Sequence, residues 1–153
     1  MYRLLTLIGA ITCAACGSDL DSATVSELTD AQYVEACEAR FDALGETTNE
    51  GLARVSCSNR ECAGGQAAFE ACLGTYQHEQ CDAPDLDDEL RACDVEVGVL
   101  RACYVAAANQ FAPFATIDCA DWEAGLADVT PPDDLAECAD VLAACPTVFN
   151  GAL

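Results

Sequence analysis

Cysteine, at 12 of 153 residues, constrains this chain more than any other feature. Such a density is rare in reducing compartments and common in small exported domains, where covalent cross-links supplement a modest apolar core. The length suits one domain. Apart from Cys13 and Cys16, no cysteines are spaced as the CxxC pairs of zinc sites, so a disulfide framework is expected rather than a metal centre.

The N-terminus has a short positive region, Met1-Tyr2-Arg3, followed by an uncharged, mainly apolar run from Leu4 to Thr12. Nine residues are too few to cross a bilayer as a helix and match the apolar core of a signal peptide. Then comes Cys13-Ala14-Ala15-Cys16-Gly17-Ser18-Asp19, in which two small residues precede a cysteine. These features resemble the signal and cleavage boundary of the bacterial lipoprotein family, although Cys13 stands where the family usually has an aliphatic residue. The resemblance covers about 20 residues. It implies that residues 1–15 are a removable signal peptide and that Cys16 is lipidated. Its thiolate would take a diacylglyceryl group and its freed amine an acyl chain. Several chains at about 0.8 kcal/mol per buried CH₂ make a durable anchor. By the family's sorting rule, Gly17 in place of aspartate implies outer-membrane delivery. On this basis residues 16–28 (polar and aperiodic) are expected to be a tether, and residues 29–153 a cysteine-rich acidic domain.

Cysteine parity bears on the same boundary. Beyond Cys16 stand ten cysteines: Cys37, Cys57, Cys62, Cys72, Cys81, Cys93, Cys103, Cys119, Cys138 and Cys145. Ten close as five disulfides with none left over. Cleavage before Cys16 without lipid, the ordinary secreted alternative, leaves an odd count, whereas cleavage before Cys13 leaves twelve, which is even, so parity alone does not decide.

The charge narrows the partners. Lysine is absent, and removing residues 1–15 leaves five arginines against 27 carboxylates. Such a surface repels nucleic acid and anionic headgroups and favours solubility or a cationic partner.

Helical signals dominate the remainder. Thr29 with Gln32 makes a capping box, and Leu28 can staple against Tyr33. Tyr33, Cys37, Phe41 and Leu44 follow at helical spacing up to Gly45. Residues 46–57 have loop composition with an extra turn near Leu52. A second helix is expected over 59–76. A third runs from Pro84 to Phe111 on an apolar stripe, ended by Pro113. A short helix over 118–126 carries Trp122, and a last one runs from Pro131 to Cys145, stopped by Pro146. The fold class is therefore all-α, a disulfide-stapled bundle of about four helices.

Arg60-Glu61-Cys62 with Phe69-Glu70-Ala71-Cys72 repeats, 31 residues on, as Arg91-Ala92-Cys93 with Leu100-Arg101-Ala102-Cys103. This resembles the twin CX9C arrangement of coiled-coil-helix hairpins and implies an antiparallel hairpin at 60–104, with no activity attached. Ten residues along a helix span about 15 Å, beyond the roughly 7 Å limit between disulfide-bonded Cα atoms. Bonds within each repeat are thus excluded if the helices are intact. Paired residues in an antiparallel hairpin keep a constant sum, which predicts Cys62–Cys103 and Cys72–Cys93. The other six cysteines allow fifteen connectivities.

Catalytic patterns are missing from the sequence: there is no HExxH, GxSxG, P-loop or GxGxxG. His78, with Glu79 and Cys81, is better suited to a surface or capping role than to metal. Asp82, Asp85, Asp87, Asp88 and Glu89, and also Asp133 and Asp134, stand where carboxylates favour helix N-termini. No EF-hand spacing accompanies them. No cofactor and no catalysis are expected. The expectation is a membrane-anchored envelope or surface protein that binds a partner. Alternatives are a carrier of a small apolar ligand and a carboxylate-based enzyme.

Overall fold

The computed structural model describes residues 20–77, 81 and 88–146. Among them the architecture is all-α, with helices joined by 3₁₀ turns and cross-linked by five disulfides. The helices are α1 (Asp30–Asp42), α2 (Glu46–Glu61), α3 (Gln66–Leu73), α4 (Asp88–Arg91), α5 (Val97–Asn109), α6 (Trp122–Leu126) and α7 (Ala139–Ala144).

α1 starts where its sequence signature places it. The Thr29 side chain accepts from the Gln32 amide at 3.4 Å, and the Thr29 amide donates to Gln32 Oε1 at 3.1 Å. Leu28 and Tyr33 line the same small cavity against α5, as a staple requires. Replacing Thr29 by alanine orphans one donor and frees the Gln32 side chain. The Thr29→Ala variant is expected to lose about 1 kcal/mol of stability, read from urea unfolding followed by circular dichroism.

α2 corrects the expectation of a loop over 46–57. Its buried residues are Thr48, Gly51, Ala53, Cys57 and Ser58, so its inward face is built from small side chains. Tertiary packing supplies what helix propensity lacks. The face lies against the turn Ala112–Thr116, and an ideal Cβ at Gly51 would fall 1.8 Å from the Phe111 carbonyl oxygen. Thr48 Oγ1 donates to Asn109 Oδ1 at 2.9 Å, tying α2 to the end of α5.

The expected helix over 59–76 is two helices that fold back on each other. Gly65 sits between them at φ +87°, a conformation that L side chains rarely adopt. The hairpin therefore joins 46–61 to 66–73, and the predicted hairpin at 60–104 is overturned. Cys57 and Cys72 approach to 5.7 Å between Cα atoms and bond across this turn.

The expected long helix from Pro84 to Phe111 is also interrupted. Residues between α4 and α5 leave the helix, and Glu96 pairs antiparallel with Thr24. The Val25 amide donates to the Val95 carbonyl at 2.9 Å, and the Val97 amide to the Ala23 carbonyl at 2.9 Å. Val95 and Val97 are buried while Asp94 and Glu96 are exposed, the alternation of a short strand. The partner of this segment lies in the expected tether. Val25 is only 2% exposed, Leu20–Ser22 forms a 3₁₀ turn, and Asp21 packs on α5 at Gly98. Arg101 forms an ion pair with Asp21. Residues 20–28 therefore belong to the domain, and the tether reading is corrected over that span.

These two departures explain the disulfide correction. With α2 and α3 turned back and the long helix broken, Cys62 faces Cys119 and Cys72 faces Cys57. Cys93 bonds Cys145 and Cys103 bonds Cys138, which attaches α5 and the extended segment before it to the C-terminal turns. Cys37 bonds Cys81. Neither Cys62–Cys103 nor Cys72–Cys93 forms. Bonds within each repeat do not form either, although the intact helices on which their exclusion rested are broken at Gly65 and before Val97.

One buried cluster gathers Val25, Tyr33, Val95, Val97 and Val141 with Cys93, Cys103, Cys138 and Cys145. A second set of buried residues, including Ala53, Cys57, Phe69 and Phe114, lies on α2, α3 and the turn after α5. Cysteines supply four of the nine buried residues in the first cluster, and Cys57 sits in the second set.

Candidate functional site

The lipidation candidate Cys16 lies outside the described residues, as do Cys13, His78, Glu79, Asp82, Asp85 and Asp87. Asp88 opens α4, but its side chain and that of Glu89 are outside the description. Asp133 and Asp134 are exposed on the 3₁₀ turn Pro132–Asp134. Among the described residues no group of three or more His, Cys, Asp or Glu side chains is placed to hold a metal ion.

The ten cysteines from Cys37 to Cys145 are consumed by one another in five bonds. Cys57, Cys103 and Cys138 have no exposed surface. Cys103–Cys138 and Cys93–Cys145 are buried at both ends and serve as framework, whereas Cys62 and Cys119 are both partly exposed.

The arginines hold a position that sequence reasoning missed. Arg40 stacks on Phe41 and Tyr104, with its guanidinium carbon 4.8 and 4.5 Å from the ring centres. Arg54 lies over Phe69, and Arg91 over Tyr33. Arg54 also pairs with Glu50 at 2.8 Å and donates to the Ile117 carbonyl at 2.8 Å. Arg91 pairs with Asp30. Arginine suits these places because its flat, weakly hydrated cation stacks on rings while its edge donates hydrogen bonds. The guanidinium groups are thus largely engaged by the fold. The carboxylates outnumber them on the surface, which leaves the exterior strongly acidic.

Two of the concavities among the described residues bear on what the domain can bind. Between α1 and α5 lies a narrow cavity of about 30 Å³, lined by Val25, Leu28, Tyr33, Leu100 and the stems of Arg40 and Arg101. A cavity of that size holds a water or two and no acyl chain. Beneath α6 lies an open pocket of about 270 Å³ walled by Pro113, Phe114, Ile117 and Val129, with Asp128 at its lip. Its position follows from local chemistry. Pro113 starts the tight turn after α5, and Gly125 lets α6 rest directly on the Phe114 ring, where a Cβ would fall 2.8 Å away. Gln110 braces the far side, accepting from the Thr130 amide at 2.6 Å and donating to its carbonyl at 2.9 Å. The only sequence trace of this pocket was the Trp122 segment. Its walls come from residues spread over 110–129 without a period.

No protein-family profile, no curated protein and no solved structure matches the chain.

Proposed function

We propose that the chain is an exported bacterial lipoprotein, anchored through Cys16 to the outer membrane, whose acidic disulfide-stapled domain acts by binding a partner rather than by catalysis. The observation that carries this reading is the exhaustion of the domain's thiols. Five bonds use every cysteine from Cys37 to Cys145, so Cys16 has no pairing role left in the domain. A thiol at a small-residue boundary behind a nine-residue apolar run is then best employed as a lipid acceptor. No described helix is long and apolar enough to cross a membrane, so attachment would rest on the lipid. Since residues 20–28 belong to the fold, only residues 16–19 would separate lipid from domain. Extended, they reach roughly 14 Å, which holds the acidic domain close to the bilayer.

The small size of the α1–α5 cavity argues against a carrier of long apolar chains. The test is expression of the full chain and its Cys16→Ser variant in a bacterial host, followed by membrane fractionation. The native chain is expected in the membrane fraction with a lipid-modified N-terminal peptide. The variant is expected as a soluble, folded protein in the envelope. Equal recovery of both in the soluble fraction would support the ordinary secreted alternative, and equal membrane retention would sink the lipid anchor.

A further inference from the structure

We infer that the pocket beneath α6 is a binding site for a small organic cation with an apolar body, an ammonium group on a short aliphatic or aromatic frame. Three observations converge on this ligand. The first is shape: the pocket is open to solvent, and about 270 Å³ suits a molecule smaller than a typical drug. The second is the chemistry of the wall. Phe114, Ile117, Pro113 and Val129 supply an apolar lining, and the polar ends of Gln110 are already taken by the Thr130 backbone. The polar side chain left to meet a ligand is Asp128, exposed at the lip and without an ion-pair partner among the described residues. No basic residue lines the pocket. The third is the field. With 27 carboxylates in the chain and most guanidiniums engaged internally, the surface concentrates cations and repels anions before any contact is made.

The walls are pinned in place before any ligand arrives. The Ile117 carbonyl is held by Arg54, and Cys119, two residues further on, is bonded to Cys62. A pocket whose walls are already fixed loses little entropy on binding. An apolar body would enter against Phe114 and Val129 while its ammonium stays at the lip beside Asp128, still partly hydrated. The inference does not depend on the lipid anchor, so the two can fail separately.

The test uses the disulfide-intact chain and three probes of one shape: phenethylammonium, 2-phenylethanol and phenylacetate. Binding is followed by chemical-shift changes of the backbone amides. The ammonium probe is expected to bind at least fivefold more tightly than the alcohol, the carboxylate is expected not to bind, and shifts should be confined to residues 110–130. Asp128 is exposed, so Asp128→Asn is expected to fold normally. It should weaken the ammonium probe by roughly two- to fivefold, as an exposed charge pair does, and leave the alcohol unchanged. Asp140→Asn, an exposed carboxylate on α7 outside the pocket, is the control for the general field and should change neither. Equal affinity for ammonium and alcohol, equal losses in both variants, or shifts spread over the acidic surface would each overturn the site.

Discussion

Reducing the protein in denaturant and then removing the denaturant at neutral pH, with reductant still present, is expected to leave it without its helical circular dichroism. The five bonds close loops of 15 to 57 residues. By loop entropy the shortest contributes about 3 kcal/mol and the longest about 4. A domain of this size has a total stability of about 5–15 kcal/mol. Losing all five therefore exceeds what noncovalent packing retains. The core shows why. Among the described residues, the largest fully buried side chains include just two that are carbon-only, Phe69 and Val141, while Cys57, Cys93, Cys103 and Cys138 make up most of the others. Paired Cys→Ala replacements should grade the effect, with Cys57/Cys72 costing about 3 kcal/mol and Cys62/Cys119 about 4. Full helicity after complete reduction would show that the packing suffices without the cross-links.

The second large effect concerns a missing side chain. Gly51→Ala is expected to destabilise the domain by about 3 kcal/mol or more, lowering the melting temperature by roughly 6–12 °C. A methyl group there would sit 1.8 Å from the Phe111 carbonyl oxygen and 2.6 Å from its carbonyl carbon. The obstacle is backbone, which cannot rotate aside, so α2 must lift off the turn that carries Phe114. Gly45, the N-cap of the same helix, has open space around an added Cβ. Gly45→Ala should therefore cost less than about 1 kcal/mol. Equal melting temperatures for the two variants would mean that α2 and Phe111 do not touch.

The parts of the fold that were legible in the sequence carry their signals locally. The capping box at Thr29 and Gln32 needs only four residues, and it stands as read. The stop near Pro113 and the short helix carrying Trp122 are likewise local, and both are present with shifted bounds. What escaped depends on distant partners. α2 buries glycine, alanine, threonine and serine, so a search for large apolar residues at helical spacing passes over it. Asp94-Val95-Glu96-Val97 alternates like a strand, but its apolar residues also fit the stripe of a longer helix. Its pairing with 23–25 decides between the two. That one contact turned a supposed tether into core and broke a supposed helix, and with the helix went the predicted disulfides. The Gly64-Gly65 pair was the available warning, because only glycine readily takes the φ of +87° seen at Gly65. The pocket beneath α6 left no periodic trace, since its walls combine a turn, a short helix and a loop.

The central claim is a domain whose every thiol is in a disulfide, hung from a lipid on the one cysteine left outside. The most direct measurement is the intact mass of the protein extracted from membranes, taken after exposure to a thiol-alkylating reagent without reduction. The mass should correspond to a chain starting at Cys16 that carries acyl and diacylglyceryl groups, ten hydrogens lighter than its reduced form, with no alkyl adduct. An unlipidated chain, or one that takes up alkyl groups before reduction, would contradict it.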